Sequence, residues 1–144
     1  MAKSLFSIST LVAATLLCGV SAQAAGEAAV ERQALMKLNG AATGVLARMV
    51  KGQSDFDAVQ AQQALNVLNS AALGFGYMFP EGSETGANTE AAATIWSDRA
   101  GFDEAVAKYI SDTTATITDM DSLKAAFGAA ASNCGSCHKA YRVK

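Results

Sequence analysis

Histidine occurs once in this chain, proline once and cysteine three times. So few histidines and cysteines are poor material for a structural zinc site, which usually takes four Cys or His ligands. A single proline is compatible with long helices, because proline breaks helix interiors. Basic residues do not outnumber acidic ones, with 11 Lys and Arg against 13 Asp and Glu. Nucleic acid is therefore not an expected partner.

The first 24 residues are expected to be an export signal and not part of the folded domain. Lys3 supplies a positive charge, residues 5–20 form an apolar run interrupted only by Ser and Thr, and Ala-Gln-Ala at 22–24 matches a signal-peptidase site. The apolar run is too short to be a convincing membrane span. We therefore expect cleavage after Ala24 and export to the periplasm. The mature chain, residues 25–144, is then a single domain without a membrane span.

Apolar residues recur at helical spacing in four segments of the mature chain. These segments span residues 28–49, 61–79, 95–117 and 123–141. In the third, Arg99 and Thr113 are lapses in the pattern. Turn-forming residues separate the second segment from the third. Candidate N-caps are Ser54, Asp55 and Asp57 for the second segment, and Asp119 and Asp121 for the fourth. The sequence therefore predicts an all-α fold, an antiparallel up-down-up-down four-helix bundle.

The first segment has an apolar stripe and a second, narrower face. The stripe consists of Ala28, Leu35, Leu38, Ala42, Val45 and Met49. The narrower face consists of Arg32, Met36, Gly40, Thr43 and Ala47. A glycine inside a helix costs about 1 kcal/mol relative to alanine, and this segment carries Gly40 and Gly44. Either a closely packed helix or a large flat ligand accounts for these small residues, and the sequence leaves both open.

The segment "ASNCGSCHKAYRVK" contains a Cys-x-x-Cys-His motif formed by Cys134, Cys137 and His138. The third cysteine, Cys18, lies in the expected signal. A thioredoxin-type redox pair would follow a strand, whereas this pair lies in a predicted helix. A disulfide between the two cysteines would close a very small loop and so restrict the unfolded chain little. It would also leave the adjacent histidine unexplained.

The same motif is the attachment signature of c-type haem. Two cysteines three residues apart share one face of a helix, so each sulfur can join one haem vinyl group. The imidazole of His138 can then bind the iron as an axial ligand. The sequence therefore predicts one covalently bound haem c per chain, attached through Cys134 and Cys137.

Four segments together resemble the class II cytochromes c, which comprise the cytochrome c prime group and its low-spin relatives. The segments are "RQALM" from Arg32, "VKGQSDFD" from Val50, "IWSDRAGF" from Ile95 and "LKAAFGAAASNCGSCHKAYR" from Leu123. The resemblance covers essentially the whole mature chain. It implies an antiparallel four-helix bundle with the haem in its core, which agrees with the periodicity.

The resemblance also implies roles for residues of the first helix. Arg32 and Gln33 match positions beside the haem or its propionates, and a guanidinium pairs well with a carboxylate. Met36 matches the position facing the iron on the side opposite the histidine. In low-spin members a methionine there is the sixth ligand, whereas in cytochrome c prime the residue blocks that side without binding. "LMKLNG" from Leu35 resembles the low-spin type.

These observations predict an exported electron carrier that exchanges electrons with redox partner proteins and is not itself an enzyme. The alternative is a five-coordinate haem protein of the cytochrome c prime type that binds nitric oxide or carbon monoxide. A second alternative is a haem-free helical binding module held by a disulfide between Cys134 and Cys137. By analogy with the family, the chain can form a homodimer through its first two helices.

Overall fold

The computed structural model describes the backbone of residues 17–143 and the side chains of residues 26–143. The predicted signal peptide, residues 1–24, lies outside the described side chains. The described α-helices are α1 (Leu17–Val50), α2 (Ala58–Phe75), α3 (Thr94–Ser97), α4 (Arg99–Asp112) and α5 (Met120–Tyr141), and a short 3-10 helix spans Gly76–Met78. In a chain cleaved after Ala24, α1 begins no earlier than Ala25. Across the described part of the chain, no helix combines the length and apolar character needed to cross a membrane.

The four long helices form a closed ring. Helix α1 packs against α2 and α5, and α4 packs against the same two helices. The described residues contain no strand, and their sheet-like pairing is one isolated antiparallel bridge, between Ala91 and Arg142. The predicted all-α four-helix bundle is confirmed.

Two of the helices each begin at one of their candidate N-caps, α2 at Asp57 and α5 at Asp119. The Asp57 carboxylate accepts a hydrogen bond of 2.9 Å from the backbone N–H of Gln60 at the start of α2. At the start of α5, the Asp119 carboxylate accepts from the Ser122 N–H at 2.8 Å. The Ser122 hydroxyl accepts in return from the Asp119 N–H at 3.0 Å, which completes a capping box. Both caps satisfy backbone donors that a helix leaves without an internal partner.

The buried apolar residues form two clusters. The larger lies between α1, α2 and α5 and contains Leu46, Leu65, Leu68 and Leu123 among its fully buried members. The smaller consists of Phe79, Ile95 and Phe102, with Phe75, Trp96 and Tyr141 packed against it. In this smaller cluster the Phe79 and Phe102 rings meet edge to face, with centroids 4.8 Å apart. Aromatic side chains therefore support one side of the bundle, while aliphatic side chains fill the other.

The third predicted helix is interrupted in the structure. Helix α3 ends at Ser97, and Asp98 leaves helical geometry at φ −125° and ψ 57°. Its carboxylate accepts from the Gly101 N–H at 3.2 Å and so caps α4. Helix α4 ends at Asp112, five residues short of the predicted end at Ile117. A capping carboxylate inside the segment and the run of threonines after it explain both departures.

One residue of a predicted stripe, Leu38, is placed differently, and one polar residue on a stripe, Thr113, is buried as its position predicts. Leu38 was expected in the core but is 50% exposed, whereas the neighbouring Asn39 is only 8% exposed. Thr113, a lapse in the third stripe, is fully buried. Its hydroxyl donates to the Tyr109 carbonyl at 2.8 Å and lies 3.0 Å from the donating Asn69 amide. Hydrogen bonding therefore allows a polar residue to occupy an inward position at Thr113.

Candidate functional site

A cavity of about 700 Å³ lies between α1, α4 and α5. Its volume falls within the usual range for ligand and cofactor sites. All six site residues predicted from the sequence line it: Arg32, Gln33 and Met36 from α1, and Cys134, Cys137 and His138 from α5. The smaller of the two apolar clusters contributes Phe79, Ile95 and Phe102 to the lining, so the interior of the cavity is largely apolar.

The narrow face of α1 forms one wall of this cavity. Met36, Gly40 and Thr43 all line it, whereas Ala47 lies beyond the lining. A Cβ added to Gly40 would meet no atom within 4 Å, so no neighbouring helix packs closely against that glycine. Of the two explanations left open by the sequence, the structure therefore favours a ligand-facing wall over close helix packing.

Arg32 is a buried cation at the edge of the cavity, with 4% of its surface exposed. Its guanidinium donates to the Met78 carbonyl at 3.0 Å and to the Ser83 carbonyl at 2.8 Å. The group also lies over the Phe79 ring, 4.7 Å from the ring centroid. Burial lowers the pKa of Arg32, and the nearby charge of Glu84 opposes that shift. These contacts hold the connection between α2 and α3 against α1.

The Arg32 guanidinium keeps unused capacity to bind an anion. Its Nε is buried and has no hydrogen-bond partner. None of the ion pairs found among residues 26–143 includes Arg32. A buried charge without a direct ion pair is costly, so a carboxylate within reach of the guanidinium would find a favourable partner here.

Gln33 secures the loop at the mouth of the cavity. Its amide nitrogen donates to the Ala87 carbonyl at 2.8 Å. Ala87 and Asn88 both have positive φ, 45° and 52°, which residues other than glycine adopt rarely. The contact with Gln33 therefore helps to hold a left-handed stretch of the loop in place.

The α5 wall presents two free thiols and the imidazole. Cys134 and Cys137 are partly buried and are not joined by a disulfide. Burial raises the pKa of both thiols, and the charge of Cys134 raises that of Cys137 further. Partial burial lowers the pKa of His138; Arg142 lowers it further, while Glu90 opposes the shift. A neutral imidazole is the form that binds a metal ion.

A C-terminal clasp holds the end of α5 beside this wall. It is made by Glu90 and Ala92 on one side and by Tyr141, Arg142 and Val143 on the other. The Ala92 N–H donates to the Tyr141 carbonyl at 3.0 Å, and the Val143 N–H donates to the Glu90 carbonyl at 2.9 Å. The Arg142 Nε donates to the Glu90 carboxylate at 2.6 Å. The clasp therefore fixes the helical turn that carries His138.

Sequence reasoning missed several polar residues around the cavity. Asn39 and Tyr109 line it, and the Asn39 Oδ1 and the Tyr109 hydroxyl are buried without a hydrogen-bond partner. Burial raises the pKa of Tyr109, with a further contribution from Cys134. Asn133 also lines the cavity and is 5% exposed. The available signal was a polar side chain at an inward-facing helical position, which pattern reading treats as a lapse.

Comparison with known proteins gives consistent matches along the chain. A family model described as Cytochrome C' matches residues 27–142. The chain is 36% identical over 140 residues to a cytochrome c' of Rhodopseudomonas palustris, covering 95% of this chain and 96% of that protein. It is 35% identical over 144 residues to a cytochrome c-556 of Agrobacterium fabrum, covering 95% and 97%.

A solved structure extends the match to three dimensions. It is the nitric oxide complex of a variant of cytochrome c prime from Alcaligenes xylosoxidans, which superposes with a TM-score of 0.74 at 31% identity. The match covers 83% of this chain and 97% of that one.

Proposed function

Since the chain belongs to the cytochrome c' family and its cofactor is one covalently bound haem c, we propose that it is an exported electron carrier whose iron is bound by His138 and Met36. In this proposal it works in the periplasm, exchanges electrons with partner proteins and is not itself an enzyme. Family membership sets aside the haem-free module held by a disulfide. Family membership does not decide between electron transfer and gas binding, so that decision depends on the residues of the cavity.

The cavity suits a haem in size, polarity and the placement of its reactive groups. Cys134 and Cys137 lie one helical turn apart, so each S–H can add across one vinyl C=C bond, with the hydrogen going to the vinyl carbon. Arg32 offers a buried, unpaired Nε to a propionate carboxylate. Gln33 lies beside it and steadies the adjoining loop. The open space in front of Gly40 leaves room for a flat ring.

When bound, the haem supplies one-electron oxidation and reduction at its iron, with a histidine–methionine ligand pair favouring a higher potential. The chain's residues determine how that chemistry is used. The clasp holds the helical turn that carries His138, and Met36 offers a thioether from a different wall. Phe79, Ile95 and Phe102 are each at most 4% exposed and give this side of the cavity an apolar lining. An iron held by two protein ligands could change oxidation state with little rearrangement.

One observation carries the proposal: Met36 of α1 and His138 of α5 line the same cavity from different helices. The other described methionines, Met49, Met78 and Met120, do not line it. The test is the absorption spectrum of the purified ferric protein. We expect low-spin iron with a near-infrared methionine-to-iron charge-transfer band. A high-spin spectrum together with ready binding of carbon monoxide would contradict the proposal.

Gas binding is the second candidate function. It is supported by the related cytochrome c prime from Alcaligenes xylosoxidans, a variant of which has been solved as a nitric oxide complex. If this chain binds gas, Met36 covers the iron without binding it, and a diatomic gas reaches the iron by displacing the Met36 side chain. The spectrum described above separates the two functions, because a five-coordinate ferric haem is high-spin.

A homodimer through α1 and α2 stays a prediction. Leu38 on α1, and Val59 and Leu73 on α2, are each at least half exposed, which is compatible with a contact surface on these helices. Light scattering of the purified protein over a range of concentrations measures the mass directly. A mass of one chain at every concentration would exclude the dimer.

A further inference from the structure

We propose that Asn39 and Thr43 form a binding subsite on the α1 wall of the cavity for a small hydrogen-bonding molecule, with water as its resting occupant. The proposal rests on the proposed function only in placing a haem in this cavity. Asn39 is more than nine-tenths buried, it lines the cavity, and its side-chain oxygen has no hydrogen-bond partner. Neither the attachment motif nor the "RQALM" segment from Arg32 assigns Asn39 a role in binding haem.

An unpaired buried amide oxygen is energetically costly. The cost of leaving such a group unsatisfied is about 1–3 kcal/mol. No described protein group bonds the Asn39 oxygen, and the residue lines the cavity, so a molecule held in that space is the candidate partner of its amide. The same amide carries an amino group, and a half-turn of its terminal bond exchanges donor and acceptor. The side chain can therefore serve either a donating or an accepting ligand.

The haem itself is a poor partner for Asn39. Its strong polar groups outside the iron are two propionates on one edge of the ring, and the unpaired Arg32 Nε suits that edge. With a rise of about 1.5 Å per residue, Met36 lies about 6 Å along α1 from Arg32, and Asn39 lies about 10 Å along it. Asn39 is thus on the far side of Met36 from the buried cation. A small mobile molecule is the remaining source of a hydrogen bond.

The neighbouring residues give such a molecule space and a second polar contact. Gly40 follows Asn39 directly and faces open space, since a Cβ added there would have no atom within 4 Å. Thr43 lies one turn further along the same face and lines the same cavity. A buried water typically makes about three hydrogen bonds, and the amide and the hydroxyl supply two of them.

The subsite would also affect the binding of any diatomic ligand that enters the cavity on the side of Met36. With its amino group turned inward, or through the bound water, Asn39 can donate a hydrogen bond to such a ligand. Donation to the oxygen of iron-bound carbon monoxide weakens the C–O bond and lowers its stretching frequency. Asn39 would then discriminate between ligands by their capacity to accept a hydrogen bond.

The direct test is a crystal structure of the haem-loaded wild-type protein beside Asn39→Leu and Asn66→Leu. Asn66 is an exposed asparagine of α2 outside the cavity, so Asn66→Leu is the matched control. We expect an ordered water within hydrogen-bond distance of the Asn39 amide in the wild type and the control, and its loss in Asn39→Leu. A wild-type Asn39 that bonds a propionate or a protein group, or that faces a dry cavity, overturns the proposal.

A spectroscopic test needs no crystal. In the ferrous carbon monoxide complex of Met36→Ala, adding Asn39→Leu should raise the C–O stretching frequency and speed release of carbon monoxide, whereas adding Asn66→Leu should change neither. Equal frequencies in all three proteins overturn the proposal. If the wild-type protein itself binds carbon monoxide, the comparison is made between the wild type, Asn39→Leu and Asn66→Leu, without the Met36→Ala change. The wild-type spin state separately decides the role of Met36, so failure of one proposal is distinguishable from failure of the other.

Discussion

The side-chain amide of Asn133 donates a hydrogen bond of 2.7 Å to the carboxylate of Asp112. Asp112 is the last residue of α4, and Asn133 immediately precedes Cys134 on α5. The same amide donates to the Ala129 carbonyl at 2.9 Å, one turn back on its own helix. This contact therefore holds the end of α4 beside the turn of α5 that carries the first cysteine of the motif.

Acid should weaken the protein partly through Asp112. Hydrogen bonds from Lys108 and then from Asn133 hold the pKa of this carboxyl below its usual value. A depressed pKa contributes stability that is present above the unfolded-state pKa and is lost as the pH falls through the folded-state value. We expect the free energy of unfolding to fall less steeply below about pH 4 in Asp112→Asn than in the wild type.

Urea denaturation of the haem-loaded protein at a series of pH values measures this slope. Asp55→Asn is the matched control, because it makes the same change of net charge at an exposed position between α1 and α2. The difference between the two variants isolates the contact with Asn133 and Lys108. Identical slopes in the two variants would show that Asp112 contributes nothing to acid sensitivity.

Haem attachment should depend on both cysteines of the motif. The variants Cys134→Ser and Cys137→Ser each leave one sulfur for attachment, and the double variant leaves none. We expect haem staining on a denaturing gel for the wild type, weaker staining for each single variant and no stained band for the double variant. Ser132→Ala, an exposed change on the same helix, should stain like the wild type. A stained double variant would show that the attachment site lies elsewhere.

Replacing the single histidine should change the iron spectrum. His138→Ala removes the proposed axial ligand, and the chain has no second imidazole to replace it. We expect a shifted Soret band and lower thermal stability, because the ligand also anchors the cofactor to α5. The neighbouring exposed residue provides the control, Lys139→Ala, which should leave the spectrum unchanged. If the His138→Ala protein kept the wild-type spectrum, the iron ligand would have been misassigned.

Met36 is expected to control both the reduction potential and access to the iron. A thioether stabilises ferrous iron relative to harder donors, so Met36→Ala should lower the potential. It should also abolish the near-infrared charge-transfer band and let carbon monoxide bind readily. Met120→Ala, which removes a half-buried methionine outside the cavity, controls for lost packing. A potential that falls equally in both variants would argue against Met36 as a ligand.

Arg32 should contribute strongly to stability even before its proposed contact with a propionate is considered. Arg32→Met leaves buried carbonyl and hydroxyl acceptors of Met78 and Ser83 without a donor. We expect a loss of about 3 kcal/mol in the free energy of unfolding. Arg99→Met removes a more exposed arginine that also donates to two carbonyls, and should cost about 1 kcal/mol or less. Equal costs would contradict the special role assigned to burial.

The helical spacing of apolar residues was sufficient to predict the bundle. The stripe on α2 is confirmed, since Ala61, Leu65, Leu68 and Ala72 are all buried. The interruption at Asp98 could not be read from that spacing. Ile95 and Phe102 are seven residues apart and both are buried. A continuous helix would show the same spacing, so it gave no sign that Asp98, which lies between them, leaves helical geometry. Periodicity therefore locates faces better than it locates helix ends.

Leu38 shows where this kind of reasoning fails. A stripe of apolar residues assumes that every inward position faces an oily core. Helix α1 faces the core cluster at Leu46 and Met49 but faces the cavity at Met36 and Asn39, so a polar residue holds an inward position. The clasp between Glu90 and Arg142 was equally inaccessible, because it joins positions about 50 residues apart with no local pattern.

The two walls that carry the proposed iron ligands, α1 at Met36 and α5 at His138, are about 100 residues apart in the chain. Closing so long a loop has an entropic cost that is met only when the two ends gain a shared contact. A cofactor bonded to α5 would offer α1 a large apolar surface in addition to the core cluster that the two helices already share. The bond to the cysteines involves local residues, so it can form on an unfolded chain. Maturation of the cofactor would then come first, and collapse of the bundle around it would follow.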